Sequence, residues 1–136
     1  MATNVNANGF IATPRSGAIQ LTSNNTAVDG SGVISTLATG AAAPGTRVLE
    51  IRAQAAMTGA SANNQINLFR SFDGGTTWRL FAQVTITGNT PSATVQNASG
   101  NIVFPNLILA SAQHLIGATQ TVASQTTNIF WDGGDL

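Results

Sequence analysis

The fold of this chain is decided by one stretch, Arg47-Val48-Leu49-Glu50-Ile51-Arg52-Ala53-Gln54-Ala55. Its apolar and polar side chains alternate with a period of two, which predicts a half-buried β-strand. The predicted inward face holds Leu49, Ile51, Ala53 and Ala55, and the predicted outward face holds Val48, Glu50, Arg52 and Gln54. Glu50 and Arg52 share the outward face, which favours a structural salt bridge between them.

Similar patterns follow along the rest of the chain. They predict strands at 65–72, 78–87, 101–110, 114–122 and 126–131. In the predicted strand 78–87, one face holds Trp78, Leu80, Ala82, Val84 and Ile86. The outward face holds Arg79, Phe81, Gln83 and Thr85. Pro105 divides 101–110 into two short pieces with a bend. No window has a convincing helical period, so the chain is predicted to be all-β, an antiparallel β-sandwich or jelly roll.

The N-terminal third differs from the rest in composition. Residues 1–45 are rich in Gly, Asn, Thr and Ala and contain only short apolar runs. Such segments bury too little apolar surface to order alone. We therefore expect an extended N-terminal arm over residues 1–15, ordered only against a partner, and a single β-sandwich domain over residues 16–136.

Charge is unusually scarce. Charged residues make up 7% of the chain, with five Lys+Arg, five Asp+Glu and a formal net charge of zero, against roughly 25% in an average soluble domain. A surface of uncharged polar groups packs against neighbours at low desolvation cost. The composition favours a subunit of an assembly, and the alternative is a soluble β-protein with an unusual polar surface.

Composition also argues against several classes of partner. Phosphate binding relies on clustered Lys and Arg, so a net charge of zero argues against nucleic acid. No apolar run approaches the roughly 20 residues of a membrane span. Residues 1–6 carry neither the positive nor the apolar region of a signal peptide, so we expect no Sec export. The chain has no cysteine, which excludes a disulfide scaffold and a thiolate zinc site. We expect no nucleic acid, no membrane and no cofactor.

One motif is sharp. The segment Ser71-Phe72-Asp73-Gly74-Gly75-Thr76-Thr77-Trp78 resembles an Asp-box, the pattern Ser-x-Asp-x-Gly-x-Thr-Trp. The Asp carboxylate of such a hairpin accepts hydrogen bonds from turn amides, and glycine permits positive φ. We interpret Ser71, Asp73, Gly75, Thr77 and Trp78 as a structural turn. Asp-boxes recur in sialidase-like propellers, but this chain has one copy and contains no tyrosine to serve as the sialidase nucleophile.

No catalytic or metal-binding pattern stands out. His114 is the single histidine, and the chain has no Gly-x-Ser-x-Gly nucleophile motif around which to build a triad. Asp132 and Asp135 bracket two glycines and could hold calcium, although a solvated turn is the preferred interpretation. We expect no enzyme activity, no catalytic residue and no metal site.

Carbohydrate binding is the strongest alternative for a site. Sugar sites on β-sandwiches use exposed aromatic rings flanked by amides and carboxylates. Trp131, with Asn128 and Asp132 nearby, is one candidate, and the outward-facing Phe81 is another. The competing interpretation places Trp131 in the core or in an interface.

Taken from Thr13 to Leu136, the order of features resembles a group of small tailed-bacteriophage virion proteins. The resemblance rests on an Asp-Gly-x-Gly turn at 29–32, a Gly-x-Arg-Val-x-x-Ile strand at 45–51, the segment 66–70, and a final Gly-Gly-Asp-Leu at 133–136. This chain departs from the pattern in its Asp-box hairpin and in Leu109-Ala110-Ser111-Ala112, which replaces a Pro-Ala-Gly turn.

The resemblance implies a virion structural protein, assembled in the host cytoplasm. Its best specific form is a capsid decoration (cement) protein that bridges capsomers as a homotrimer, in contact with the major capsid protein or another virion protein. A carbohydrate- or receptor-binding module of a tail fibre or spike is the alternative, as is a head–tail or tail component.

Overall fold

A computed structural model describes residues 10–136 of the chain. This part is all-β, as predicted, and forms a sandwich of two four-stranded antiparallel sheets with the orders β1-β8-β3-β6 and β2-β7-β4-β5. The strands are β1 (Thr13–Leu21), β2 (Ser35–Thr39), β3 (Thr46–Ala55), β4 (Asn64–Ser71), β5 (Arg79–Ile86), β6 (Ser99–Leu109), β7 (Leu115–Gln120) and β8 (Thr127–Asp135). Among these residues no helix is long and apolar enough to cross a membrane.

The strand pairing is nested along the sequence. The first strand pairs with the last, β2 with β7, β3 with β6 and β4 with β5, all antiparallel. Two further pairs, β3 with β8 and β4 with β7, join these four ribbons into the two sheets. The six predicted strands therefore correspond to β3 to β8 in order, with β4 and β5 forming the hairpin that holds the Asp-box-like motif.

The core lies between the two sheets. It is formed by the side chains that alternate inward along each strand, among them Ile51, Ala53, Leu68, Ile116 and Ile129, each fully buried. A buried polar cluster closes one end of this core: Thr127 Oγ1 and Asn64 Nδ2 donate to Gln120 Oε1 at 2.8 and 3.1 Å, and Gln120 Nε2 donates to the Gln125 carbonyl at 2.6 Å. Because these groups satisfy one another, they can be buried at low cost.

The predicted inward and outward faces of residues 47–55 are wrong at the N-terminal end of β3. A β-bulge between Val48 and Glu50 leaves Leu49 without a partner on β8. Val48 is therefore fully buried with Ile51, and Leu49 is 37% exposed. A bulge adds one residue to a strand and reverses the alternation beyond it, so the period-two pattern alone could not place both residues correctly.

The ends of the sandwich also differ from expectation. β1 begins at Thr13, inside the predicted arm of residues 1–15, and residues 1–9 of that arm lie outside the described residues. At the other end, the predicted Asp132–Asp135 turn is wrong, since β8 continues to Asp135. This segment stays extended because β1 and β3 pair with it on both sides.

On the outer side of sheet β2-β7-β4-β5, β7 and the adjoining part of β4 are covered by the β1–β2 connection, residues 22–34, whereas Gln83 and Thr85 of β5 are exposed. A Cβ added to Gly117 of β7 would lie 2.5 Å from the Ile34 side chain and 2.9 Å from the Trp78 ring. Phe69, the β4 partner of Gly117, is fully buried. We call the outer surface of β7 and β4 beneath this connection, which includes Gly117 and Phe69, the covered face.

Candidate interaction surface

The β4–β5 turn is held by two side chains of the predicted motif. Asp73 Oδ1 accepts hydrogen bonds from the Thr77 amide at 2.9 Å and from Ser71 Oγ at 2.8 Å. Ser71 Oγ in turn accepts the Gly75 amide at 2.8 Å. The Thr77 amide and the Ser71 hydroxyl lower the pKa of Asp73 below its usual value. The carboxylate is therefore engaged in holding the turn.

The same turn uses its glycines and its tryptophan structurally. Gly74 and Gly75 have φ of 74° and 95°, in the left-handed region that glycine tolerates. The Trp78 ring lies against Gly75 and Gly117, so it packs on the covered face next to the turn. All of these contacts agree with the structural interpretation of the motif.

The sheet separates the residues of the predicted carbohydrate site. Trp131 is only 3% exposed and belongs to the core, where its indole lies over Gly17. Side chains alternate along a strand, so Asn128 and Asp132 lie on the opposite, outer face of β8. The aromatic ring between them on that face is Phe130, which the sequence reasoning passed over.

Phe81 does not face outward as predicted. β5 carries a bulge opposite Leu68 and Phe69, whose partners are Ala82 and Leu80, so Phe81 is the extra residue. Its side chain packs against the core, with its ring centroid 5.8 Å from that of Phe104. Leu80 is instead 36% exposed. Both aromatic rings proposed for sugar binding therefore contribute to packing.

The outer face of sheet β1-β8-β3-β6 is a regular grid. It consists of three cross-strand rows, each with one side chain from β1, β8, β3 and β6 in that order. The rows are Ser16, Asp132, Glu50 and Val103; Ala18, Phe130, Arg52 and Asn101; and Gln20, Asn128, Gln54 and Ser99. None of these side chains is buried. We call this grid the open face.

The open face carries few charges, and they do not pair as predicted. Within residues 10–136 the ion pair found is Arg15 with Asp135, at 2.9 Å. Glu50 instead accepts a hydrogen bond from Asn101 Nδ2 at 2.8 Å, and the Arg52 guanidinium lies 5.8 Å from the Phe130 ring centroid. The predicted Glu50–Arg52 salt bridge is therefore wrong: Arg52 contacts Phe130 in its own row, and Glu50 binds Asn101 of the adjacent row.

A shallow groove lies on the open face at Phe130. Its volume is about 310 Å³, and its lining includes Ser16, Arg52, Phe130 and Asp132. Phe130 is half-buried and Arg52 and Asp132 are exposed. The groove therefore combines an aromatic surface with one cation, one carboxylate and a hydroxyl.

The remaining candidate groups are engaged in the fold. Asp135 lies on the other side of β8 from Asp132 and accepts hydrogen bonds from Arg15 and from Thr46 Oγ1, so the two carboxylates do not converge on a cation. His114 Nδ1 accepts the Ala110 amide at 3.2 Å, and its ring meets the edge of Phe72. In residues 10–136 no three His, Cys, Asp or Glu side chains come together as metal ligands.

The open face could have been found in part from the sequence. Reading two residues to either side of Phe130 gives Asn128 and Asp132, and reading along β3 gives Arg52 between Glu50 and Gln54. What the pattern lacks is the order of the strands, which brings these residues into common rows.

Comparisons with known proteins do not identify a family for this chain. No protein-family model matches the chain, and no curated protein matches it.

Proposed function

We propose that this chain is a non-enzymatic structural protein of a virion, a decoration protein that binds a capsid and bridges adjacent capsomers. The observation that carries the proposal is the open face, a regular four-stranded surface with six uncharged amide or hydroxyl side chains and three charged ones. A sheet face whose side chains are exposed, in contrast to the covered β7 of the other sheet, is suited to a protein partner.

The strand order supports this proposal. Nested pairing of β1 with β8, β2 with β7, β3 with β6 and β4 with β5 is what winding one long hairpin into a jelly roll would produce. We propose that winding for this chain. Jelly rolls are used by viral capsid and lectin domains, so the topology is compatible with a virion role and also with the alternative of sugar binding.

The chemistry of the open face suits a contact that forms at low cost. Amide and hydroxyl groups lose less on leaving water than charged groups do, and they can pair with backbone or side-chain groups of a neighbour. Val103, 64% exposed, adds apolar surface at one edge of the grid. Because few charges take part, we expect the contact to depend only weakly on salt concentration.

The size of the open face sets a condition on the proposal. With strands about 4.8 Å apart and a rise of about 3.3 Å per residue, the grid measures roughly 14 Å by 14 Å. A standard interface buries about 800 Å² on each partner, so the grid is its centre and flanking segments must contribute. We propose Phe10, 60% exposed, as one such contributor, because its neighbour Ile11 packs on Gly134, at the end of this face of β8.

The test is rebinding to capsids. The purified chain is mixed with heads of its source virion that have been stripped of it, and binding is measured by co-sedimentation and by the melting temperature of the heads. We expect wild-type chain to bind and to raise that temperature. Phe130→Asp should abolish binding and leave the fold intact, whereas Thr85→Asp, at an exposed position on β5, should bind as wild type does.

Absence of wild-type rebinding would refute the decoration role, and rebinding by Phe130→Asp would refute the open face as the contact. Native mass by light scattering completes the test, since a decoration protein at capsid three-fold positions should be a homotrimer. Ring-shaped assemblies in electron micrographs would favour the head–tail or tail component instead.

A carbohydrate- or receptor-binding module is the second candidate, and the Phe130 groove is the observation that favours it. A sugar ring could stack on Phe130 while Arg52, Asp132 and Ser16 bind its hydroxyls. Glycan titrations with wild type and Phe130→Ala separate the two candidates, because only this one requires saturable glycan binding that the variant loses.

A further inference from the structure

A groove lies at one end of the sandwich, where the β4–β5 turn meets the connection between β6 and β7, residues 110–114. The two segments are joined, because the Gly74 amide donates a hydrogen bond to the Gln113 carbonyl at 3.0 Å. The groove has a volume of about 340 Å³. Its lining residues are Arg70, Phe72, Asp73, Thr77 and Arg79. None of them belongs to the open face.

Two arginines face each other across this groove. Arg70 of β4 and Arg79 of β5 are direct partners in the antiparallel pair, and the side chains of both line the groove. The Cβ atoms of such partners lie about 4.5–5.5 Å apart, and like charges at directly opposite positions are destabilising. An anion between the two guanidinium groups would turn this repulsion into two attractions.

No acidic side chain of residues 10–136 neutralises the two arginines. Among these residues Arg79 makes no hydrogen bond and no ion pair. Asp73 lines the same groove, but the Thr77 amide and the Ser71 hydroxyl lower the pKa of its carboxyl, and no arginine contributes. Burial lowers the pKa of Arg70, and no neighbouring acid opposes that shift. Both positive charges therefore lack a counter-ion within the described part of the chain.

The Arg70 side chain is held in place before any ligand arrives. Its Nη2 donates a hydrogen bond to the Ile108 carbonyl at 3.0 Å, and its guanidinium carbon lies 4.6 Å from the centroid of the Phe72 ring. The Phe72 ring in turn meets the His114 ring, with 4.8 Å between their centroids. Arg70 Nη1 has no partner among residues 10–136 and remains accessible to solvent. A donor fixed in this way loses little freedom when it binds a ligand.

The charges of the lining specify the kind of anion. Guanidinium groups match the geometry of carboxylates and of phosphates. Arg70 and Arg79 supply two positive charges and Asp73 supplies one negative charge, so the groove carries a net charge of about +1. A carboxylate, with a single negative charge, balances the groove. A phosphate monoester carries about −1.5 to −2 at pH 7 and would leave excess negative charge beside Asp73.

The same lining favours a carboxylate of a protein over that of a sugar. A sugar needs free polar groups for its hydroxyls and an open ring face on which to stack. Asp73 already accepts the Thr77 amide at 2.9 Å, and the Arg70 guanidinium lies over the Phe72 ring. Phe72 is nevertheless 53% exposed, so it offers apolar surface to an aliphatic stem. Arginine beside an exposed aromatic ring is typical of the residues that anchor protein interfaces.

We propose that this groove binds an Asp or Glu side chain of a protein partner, with its carboxylate between the guanidinium groups of Arg70 and Arg79 and its stem on Phe72. The proposal does not rest on the decoration role, since it requires only an exposed acidic side chain on the partner. Because the groups that bind are charged and partly exposed, this contact should weaken as salt concentration rises, unlike the contact expected at the open face.

The test is an NMR titration of the whole chain with N-acetyl-L-glutamic acid 1-amide, which carries one side-chain carboxylate. The uncharged counterpart is N-acetyl-L-glutamine amide, and inorganic phosphate and D-glucuronate are titrated separately. We expect the glutamic acid probe to shift the Nε–H signals of Arg70 and Arg79 and the Phe72 amide saturably, with a dissociation constant of about 1 mM. The glutamine probe should not shift them.

Three results would overturn the proposal. The first is the absence of a saturable shift at these signals with the glutamic acid probe, and the second is an equal shift with the glutamine probe. The third is binding of phosphate or of glucuronate at least tenfold more tightly than the glutamic acid probe, which would assign the groove to a phosphorylated ligand or to an acidic sugar.

Arg79→Gln separates a ligand-binding arginine from a structural one. Arg79 is exposed and has no partner among the described residues, so its loss should leave the melting temperature unchanged or raise it as the repulsion from Arg70 disappears. Affinity for the glutamic acid probe should fall about tenfold, the loss of one charge-assisted hydrogen bond. A lower melting temperature with unchanged affinity would show a structural role and contradict the proposal.

Two further variants control for charge. Thr85→Glu changes the net charge by the same amount as Arg79→Gln, but it lies six residues further along β5 at an exposed position, roughly 20 Å away. That distance exceeds the Debye length of about 8 Å at physiological salt, so this variant should bind the probe as wild type does. Arg79→Lys keeps the charge and loses the fork, and it should weaken binding about threefold. Equal losses in Thr85→Glu and Arg79→Gln would reduce the effect to net charge and refute the site.

Discussion

The two sheets of this protein have the same number of strands, but their outer faces have become different kinds of surface. On the covered face, every residue of β7 is buried, and a connection of thirteen residues, 22–34, lies over the strand with Trp78 and Ile34 against it. On the open face, none of the grid residues is buried. The difference shows that a chain poor in charge can cover part of one face with its own connection and leave the side chains of the other face exposed.

The two faces also differ in how much they contribute to the stability of the isolated chain. Residues of the covered face contribute to the stability of the isolated chain, because their burial is completed within one molecule. Residues of the open face contribute little to that stability and are free to serve binding. The following experiments test this division.

The largest effect is expected from the aromatic ring at the centre of each face. Phe69→Ala removes a fully buried ring from the covered face and should lower the free energy of unfolding by about 3–4 kcal/mol. Phe130→Ala on the open face should lower it by about 1 kcal/mol or less, because that ring is only half-buried. Urea unfolding followed by tryptophan fluorescence measures both. Equal losses would mean that the two faces do not differ in the way described.

A smaller effect is expected where the connection approaches the sheet. Gly117→Ala places a methyl group 2.5 Å from the Ile34 side chain and 2.9 Å from the Trp78 ring, which should cost about 2 kcal/mol through overpacking. Gly59→Ala is the matched control, since a Cβ there meets nothing within 4 Å. Thermal unfolding of the two variants compares them directly, and a Gly117→Ala protein as stable as the control would show that the connection is loosely packed.

The smallest effect compares the two sides of β8. A hydrogen bond from Arg15 lowers the pKa of Asp135, so its stabilising contribution is present above the ordinary aspartate pKa of about 3.9 and is lost as pH falls through the lower folded value. Asp135→Asn should cost about 1 kcal/mol at neutral pH, and the cost should vanish in acid. Asp132→Asn, on the open face, should change stability by less than about 0.5 kcal/mol. Unfolding free energies between pH 2 and 7 for both variants give the two curves, and a constant cost for Asp135→Asn would contradict the assignment.

Sequence patterns predicted the architecture because alternation depends only on local geometry. The inward positions Ile51, Ala53, Val84 and Ile86 were all identified from their spacing. The errors fall where one extra residue changes the phase, at Leu49 in β3 and at Phe81 in β5. A bulge is set by the neighbouring strand, so the sequence of a single strand does not reveal it.

The proposed interaction surface was less accessible to sequence reasoning. The open face consists of ordinary residues such as Ser16, Gln20 and Asn101, which become a surface only when strands distant in sequence are placed side by side. The turn at Asp73 was recognised because the hydrogen bonds of the Ser71 and Asp73 side chains join residues at most four positions apart.

The nested pairing has a consequence for the order in which the chain organises. The entropy lost on closing a loop grows with the number of residues enclosed. The β4–β5 ribbon, closed by the short Asp73 turn, is therefore the cheapest to form, and the β1–β8 ribbon, which encloses nearly the whole chain, is the most expensive. The strand added at greatest entropic cost is therefore β1, at the edge of sheet β1-β8-β3-β6, and its release would leave the innermost β4–β5 hairpin paired.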